Sequence, residues 1–297
     1  VKDSVPLLKP PVWTWEVPAY FFVGGASGAA AVIAAIAGLR SDAGSFSSAS
    51  PVPSFSAIAE HARWIAAAGA LLAPPLLIAD LGRPARFLNM LRVFKIQSPM
   101  SVGAWTLMLF SLAAVASLAA HEVADAPAWL ALAGAAAGLL AGLTGLVLAT
   151  YTGVLIGVTA IPVWSAHVGV LPFLFGLSGL GAAVSLLELV GDRTRSLNVM
   201  GIGVALAETC LLVWLEQPRR LSRVNRGPIH HGPSGAMTRS AGLLSGPVAL
   251  VLRISSIWMP PVRLLASVAM IGGSALARFG WIAAGRVSAQ DIESSLR

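Results

Sequence analysis

The sequence has a single cysteine, Cys210, in 297 residues. One thiol excludes a disulfide framework, a structural zinc site and any iron–sulfur cluster ligated by this chain alone. Histidine is scarce as well, with five residues. A bis-histidine haem needs two imidazoles at matching depth on facing helices. His61 and His121 fall at the ends of apolar runs, His167 near the start of another, and His230 and His231 in a polar stretch. No pair lies mid-run, so no haem is expected. Charge is also sparse: Asp, Glu, Lys and Arg make up 11% of the chain, against about 25% in ordinary soluble domains. Short alternating segments of the kind that build a barrel are missing. The first residues are polar and proline-rich, and the first apolar run is long enough to span a bilayer, so no cleavable signal is expected.

What the chain has instead is apolar length. Hydrophobic residues are 56% of the total and mean hydropathy is +0.79. Runs of about 20 apolar residues, enough to cross roughly 30 Å of hydrocarbon, recur along the sequence. The expected fold is an all-α integral membrane protein with eight transmembrane helices, near 17–39, 56–79, 101–121, 127–150, 161–190, 197–215, 241–259 and 263–284. The fifth is long enough to tilt, and Pro247 and Arg253 interrupt the seventh. Residues 41–56 and 217–240 read as loops. A short echo between Leu76–Arg86 and Leu211–Arg220, each an apolar run, an acid, then Pro and Arg, suggests two four-helix halves, 1–155 and 156–297. Gly134, Gly138 and Gly142, with Gly24 and Gly28, are placed for close helix packing.

The net charge of +7 is not a nucleic-acid signal, because the cations sit in short connections between spans. Eight spans put both termini on one face, here face A, which also receives the connections after spans 2, 4 and 6. Most of the 20 Lys and Arg residues fall on that side, so face A is expected to be cytoplasmic.

One stretch dominates the polar inventory. Ile78 to Trp105 runs from the end of one span into the next, and carries Asp80, Arg83, Arg86, Arg92 and Lys95. Asp80 closes an apolar run, where an ionisable group is costly and marks a candidate functional position. Its alternative role is structural, an ion pair with Arg83 or Arg86 that holds the turn. Trp13 to Tyr20 enters span 1 from face A, and Glu16 and Tyr20, four apart, share a helical face. Trp105 enters span 3 there, and Tyr151 leaves span 4 there. An apolar pocket flanked by Trp13, Trp15 and Trp105, with a few hydrogen-bonding groups, suits an amphipathic ring compound arriving from the lipid, such as a quinone. Taken singly, the tryptophans also fit an interfacial aromatic belt. Two further acids lie at membrane depth: Glu208 within span 6 and Glu188 at the end of span 5. Each is a candidate for a proton path or for a buried link between helices.

Four segments carry a resemblance. Tyr20-Phe-Phe-Val-Gly-Gly, Asp80-Leu-Gly-Arg-Pro-Ala-Arg-Phe, Ser98-Pro-Met-Ser-Val-Gly-Ala-Trp and Thr150-Tyr-Thr-Gly resemble the NrfD/polysulfide-reductase membrane-subunit family. The resemblance implies a quinone-reactive subunit of a respiratory oxidoreductase, embedded in a bacterial or archaeal cytoplasmic membrane. It implies no haem or iron–sulfur cluster in this chain. Electrons would pass between menaquinone or ubiquinone and a neighbouring iron–sulfur subunit serving a molybdenum or tungsten catalytic subunit. Tyr151 matches the family's quinone-site tyrosine, and Glu16 and Tyr20 fall where its polar quinone contacts lie. The partner would dock over Arg83, Arg86, Arg92 and Lys95. A passive anchor and a transporter are the alternatives. The transporter calls for broken helices with polar residues near the midplane, whereas here they gather at one face.

Overall fold

The computed structural model describes residues 8, 10–46, 53–217 and 223–290. Among these the chain is helical with no strand. The long helices are α1 (Glu16–Phe46), α2 (Pro53–Leu81), α4 (Pro99–His121), α5 (Ala128–Gly157), α7 (Leu171–Val190), α8 (Arg195–Glu216) and α12 (Val262–Gln290), with short α3 (Pro84–Leu91) and α6 (Pro162–Ser165) between them. All seven long helices contain a stretch long and apolar enough to cross a membrane. An eighth stretch is helical but broken. It consists of α10 (Gly232–Leu243), a π-turn at Leu244–Val248, and α11 (Ala249–Ser255). Pro247 lies in the π-turn, the local widening that absorbs a residue without its own N–H.

Four expected boundaries are corrected. The span expected at 161–190 is two elements: α6 and a turn lead into α7 at Leu171. Pro162 and Pro172 each stand at a helix start, where a missing N–H costs nothing. The short α6 is held against protein through buried Val163 and Trp164, the condition for irregular structure among membrane helices, while Ala166, Val168 and Gly169 of the turn are exposed. The Val163 N–H donates to Ser288 Oγ at 3.2 Å, and the Trp164 indole N–H donates to the Trp281 carbonyl at 2.8 Å. The fourth span runs on to Gly157, so Tyr151 lies inside α5 instead of leaving it. Residues 217–240, read as a loop, hold α9 (Arg223–His230) and most of α10. The expected 41–56 connection is narrower, since α1 continues to Phe46, and 47–52 lie outside the described residues.

Helix α1 is the axle of the packing. It lies against α2 and α5, and also against α7 and α12. Contact is close because side chains are absent where helices cross. A Cβ on Gly28 would sit 2.4 Å from the Gly145 carbonyl oxygen, and one on Gly179 would sit 2.8 Å from that of Gly25. Without a hydrophobic drive in lipid, such backbone approach supplies the packing that holds helices together.

Candidate functional site

The turn after α2 follows from three consecutive residues. Gly82 takes φ +66°, Arg83 is extended, and Pro84 opens α3. Only glycine adopts the first conformation without penalty, and a residue before proline favours the second. The following loop is tied to α4 by two serines. Ser98 caps the helix by accepting from the Ser101 N–H, while Ser101 Oγ accepts from the Lys95 N–H at 3.1 Å and donates to the Val93 carbonyl at 3.3 Å.

These elements enclose a cleft between α1, α2, α3, α4 and α5, with about 500 Å³ of open space including its mouth. Trp13, Tyr20, Asp80, Met90, Gly103 and Tyr151 are among its lining residues. Four expected site residues, Trp13, Tyr20, Asp80 and Tyr151, therefore meet at one place. Tyr20 and Tyr151 are buried, and neither phenol has a hydrogen-bond partner among the described residues. Gly103 makes room for the second: a Cβ there would stand 2.1 Å from the Tyr151 hydroxyl oxygen.

Glu16 does not line the cleft but reaches it through Thr14. The Thr14 hydroxyl contacts Glu16 closely and lies 3.5 Å from Asp80 Oδ1. One hydroxyl thus faces two carboxylates with a single proton to give. Among the described residues Asp80 forms no ion pair with Arg83 or Arg86. Arg86 donates instead to the Leu81 carbonyl at 3.2 Å. Trp105 stands apart, edge-on to Phe94 with ring centres 6.2 Å apart. Arg83, Arg86, Arg92 and Lys95 are all exposed, interleaved with exposed Leu88, Val93, Phe94 and Ile96.

The wall that the sequence did not announce comes from α6. Trp164 is fully buried and stacks on Trp13, with ring centres 5.5 Å apart and planes 15° from parallel. Arg286 of α12 donates to the Trp13 carbonyl. The N-terminal segment is therefore clamped onto the second half of the chain. Pro162, two residues earlier, was the available signal. Below this wall His167 is buried, its Nδ1 2.6 Å from the Val163 carbonyl and its ring edge-on to Trp281. Burial pushes its pKa down, which keeps the imidazole neutral.

The two deep acids lie elsewhere and differ from each other. Glu188 is fully buried, 3.0 Å from Arg253 and 2.8 Å from Arg263, with Ser267 donating to its other oxygen at 2.6 Å. Glu208 is buried beside a hydrogen-bonding Ser245, and its Oε1 has no partner among the described residues. It shares a small cavity with Ser178, whose hydroxyl accepts from the buried Arg278 at 2.5 Å. Arg278 also stacks over Phe175, 4.6 Å from the ring centre.

Comparison with known proteins adds one match. The profile of the family described as "Polysulphide reductase, NrfD" matches residues 5–287, nearly the whole chain. No curated protein matches it.

Proposed function

The chain belongs to the NrfD polysulphide-reductase family of membrane subunits of oxidoreductase complexes, and we propose that it is the quinone-reactive subunit of such a complex. One observation carries this reading: two partnerless phenols and a half-buried carboxylate meet in an otherwise apolar cleft between membrane helices. A quinone fits that donor set, since each of its two oxygens needs a hydrogen-bonding group and its isoprenoid tail needs apolar walls. When bound, it supplies two-electron, two-proton redox chemistry. Tyr151 and Tyr20 are assigned to hold the head group by donating their hydroxyl protons. Gly103 keeps Tyr151 in place, and Asp80, bridged to Glu16 by Thr14, accepts or delivers a proton at its carboxylate. Trp13, backed by Trp164, excludes water on the partner side. The two halves, 1–155 and 156–297, then divide the labour. The first holds the cleft, and the second carries Glu208 as the candidate onward proton acceptor.

Tyr151→Phe tests the cleft. Loss of one hydrogen bond of ordinary strength should weaken a bound quinone analogue by about tenfold, and Gly103→Ala, which pushes the ring aside, should do at least as much. Quinol turnover by the assembled complex should fall with both. A passive anchor predicts that neither variant changes turnover.

The partner is proposed to be an iron–sulfur subunit serving a molybdenum or tungsten catalytic subunit, seated on the 83–96 surface. The support is its mixture of four exposed cations with four exposed apolar side chains. The chain would reside in a bacterial or archaeal cytoplasmic membrane, with its termini on the cytoplasmic side by charge bias. Reversing Arg86 and Arg92 to Glu should release the partner from purified complex at moderate salt. Retention of a full complement of partner subunit would refute this seat.

A further inference from the structure

At the opposite end of the first four long helices lies a second cleft, unconnected to the quinone reading. The Gly28–Gly145 crossing closes α1 against α5, and a Cβ on Gly134 would lie 2.7 Å from Ala120, marking where α5 meets α4. Between these contacts the helices part around about 560 Å³ of open space, mouth included. The walls are mostly small residues, among them Ala34, Ala66 and Ala135, and the exposed Leu39 and Leu139 also line it. Small residues alone explain a close helix crossing and nothing more. Two other features point to a ligand.

The first is Ser117. It is 1% exposed, lines the cleft, and its hydroxyl has no hydrogen-bond partner among the described residues. A buried hydroxyl left unpaired is costly, and a ligand acceptor would remove that cost. The second is the mouth. Arg63 and His121 line both the apolar cleft and an adjoining polar vestibule, which also carries Glu60 and Glu122. The vestibule therefore presents both signs of charge at the end of an apolar slot. Ser117 lies four residues before His121 on α4, about 6 Å deeper along the helix axis. A glycerophospholipid has this order of groups: a zwitterionic head, a phosphate, ester carbonyls roughly one helical turn below it, then an acyl chain.

We propose that this cleft seats one zwitterionic glycerophospholipid with a primary ammonium head group. Arg63 and His121 take the phosphate. The carboxylates of Glu60 and Glu122 accept from the ammonium. The Ser117 hydroxyl donates to an ester carbonyl, and the acyl chain leaves for the bilayer between Leu39 and Leu139. A purely anionic lipid lacks the cation that would offset the two acids, and a quinone lacks both charges.

Native mass spectrometry of the full-length chain in detergent, titrated with dioleoyl phosphatidylethanolamine and dioleoyl phosphatidylglycerol, tests the assignment. The wild type should hold one phosphatidylethanolamine about tenfold more tightly than phosphatidylglycerol, a difference of about 1.4 kcal/mol. Ala135→Phe, an exposed position on α5, should fill the slot and abolish that binding. The exposed pair Glu60→Gln and Glu122→Gln, which leaves all packing intact, should erase the preference between the two lipids. Equal affinity of the wild type for both lipids, undiminished binding in Ala135→Phe, or displacement of phosphatidylethanolamine by a quinone would each overturn the proposal.

Discussion

Asp80→Asn is expected to yield a complex that assembles, binds quinone analogue and turns over roughly two to four orders of magnitude more slowly, the scale of lost general acid–base help. The amide keeps the size and hydrogen-bonding capacity of the carboxylate but cannot carry a proton. The rival role, an ion pair holding the turn, would predict unstable assembly with normal turnover in the surviving complexes. Geometry favours the first outcome. Neither Arg83 nor Arg86 is paired with Asp80, and the nearest polar side chain is Thr14, which also contacts Glu16. Turnover per assembled complex, measured with a soluble quinol, separates the two roles. An asparagine variant that is stable and fully active would remove Asp80 from the mechanism altogether.

The second large effect concerns stability. Glu188→Gln leaves Arg253 and Arg263 without the carboxylate that both contact. Arg253 is fully buried, and its remaining side-chain contact is with Ser185 at 3.0 Å. Removing one member of a buried ion cluster costs about 3–5 kcal/mol, mostly through the stranded charge. The melting temperature of the purified protein should fall by roughly 10 °C. Adding Arg253→Met should recover part of that loss, because the two changes act on one interaction. Complexes that do assemble should turn over normally, since both Glu188 oxygens are occupied by fixed donors. A variant that melts like the wild type but has lost turnover would instead put Glu188 on a proton path. Glu208, with one oxygen unpartnered, is the acid better placed for that task.

The sequence made some of these features readable and hid others, for physical reasons. Tyr20, Asp80 and Tyr151 were legible because polar groups stand out in apolar runs, and because alternating the direction of each span brings their ends to one face. Gly28 was legible as a crossing point, since only a missing side chain allows the approach to Gly145. Trp164 was not legible. Hydropathy reports that a segment avoids water, and a short helix such as α6, with Val163 and Trp164 packed inside protein, is as apolar as a spanning helix. Only Pro162 and Pro172 betrayed the break. The role of Gly103 was hidden in a recognised segment, because its importance depends on Tyr151 from a different helix. Glu188 could be placed at the end of a span, but its partners Arg253 and Arg263 lie 65 and 75 residues away. Separation of that kind leaves no local pattern to read.

The stack of Trp13 on Trp164, with Arg286 holding the Trp13 carbonyl, also bears on how the protein is made. A ribosome releases the chain from its first residue onward, and helices enter the bilayer in that order. The two tyrosines and Asp80 are in place once α5 has been inserted, but the wall behind Trp13 waits for α6, and its clamp waits for residue 286 near the end of α12. The cleft is therefore unfinished until α12 is in place, open on the side that Trp164 later covers. Its closure follows insertion of α12, so a chain arrested before that helix keeps the pocket open on the side of Trp13.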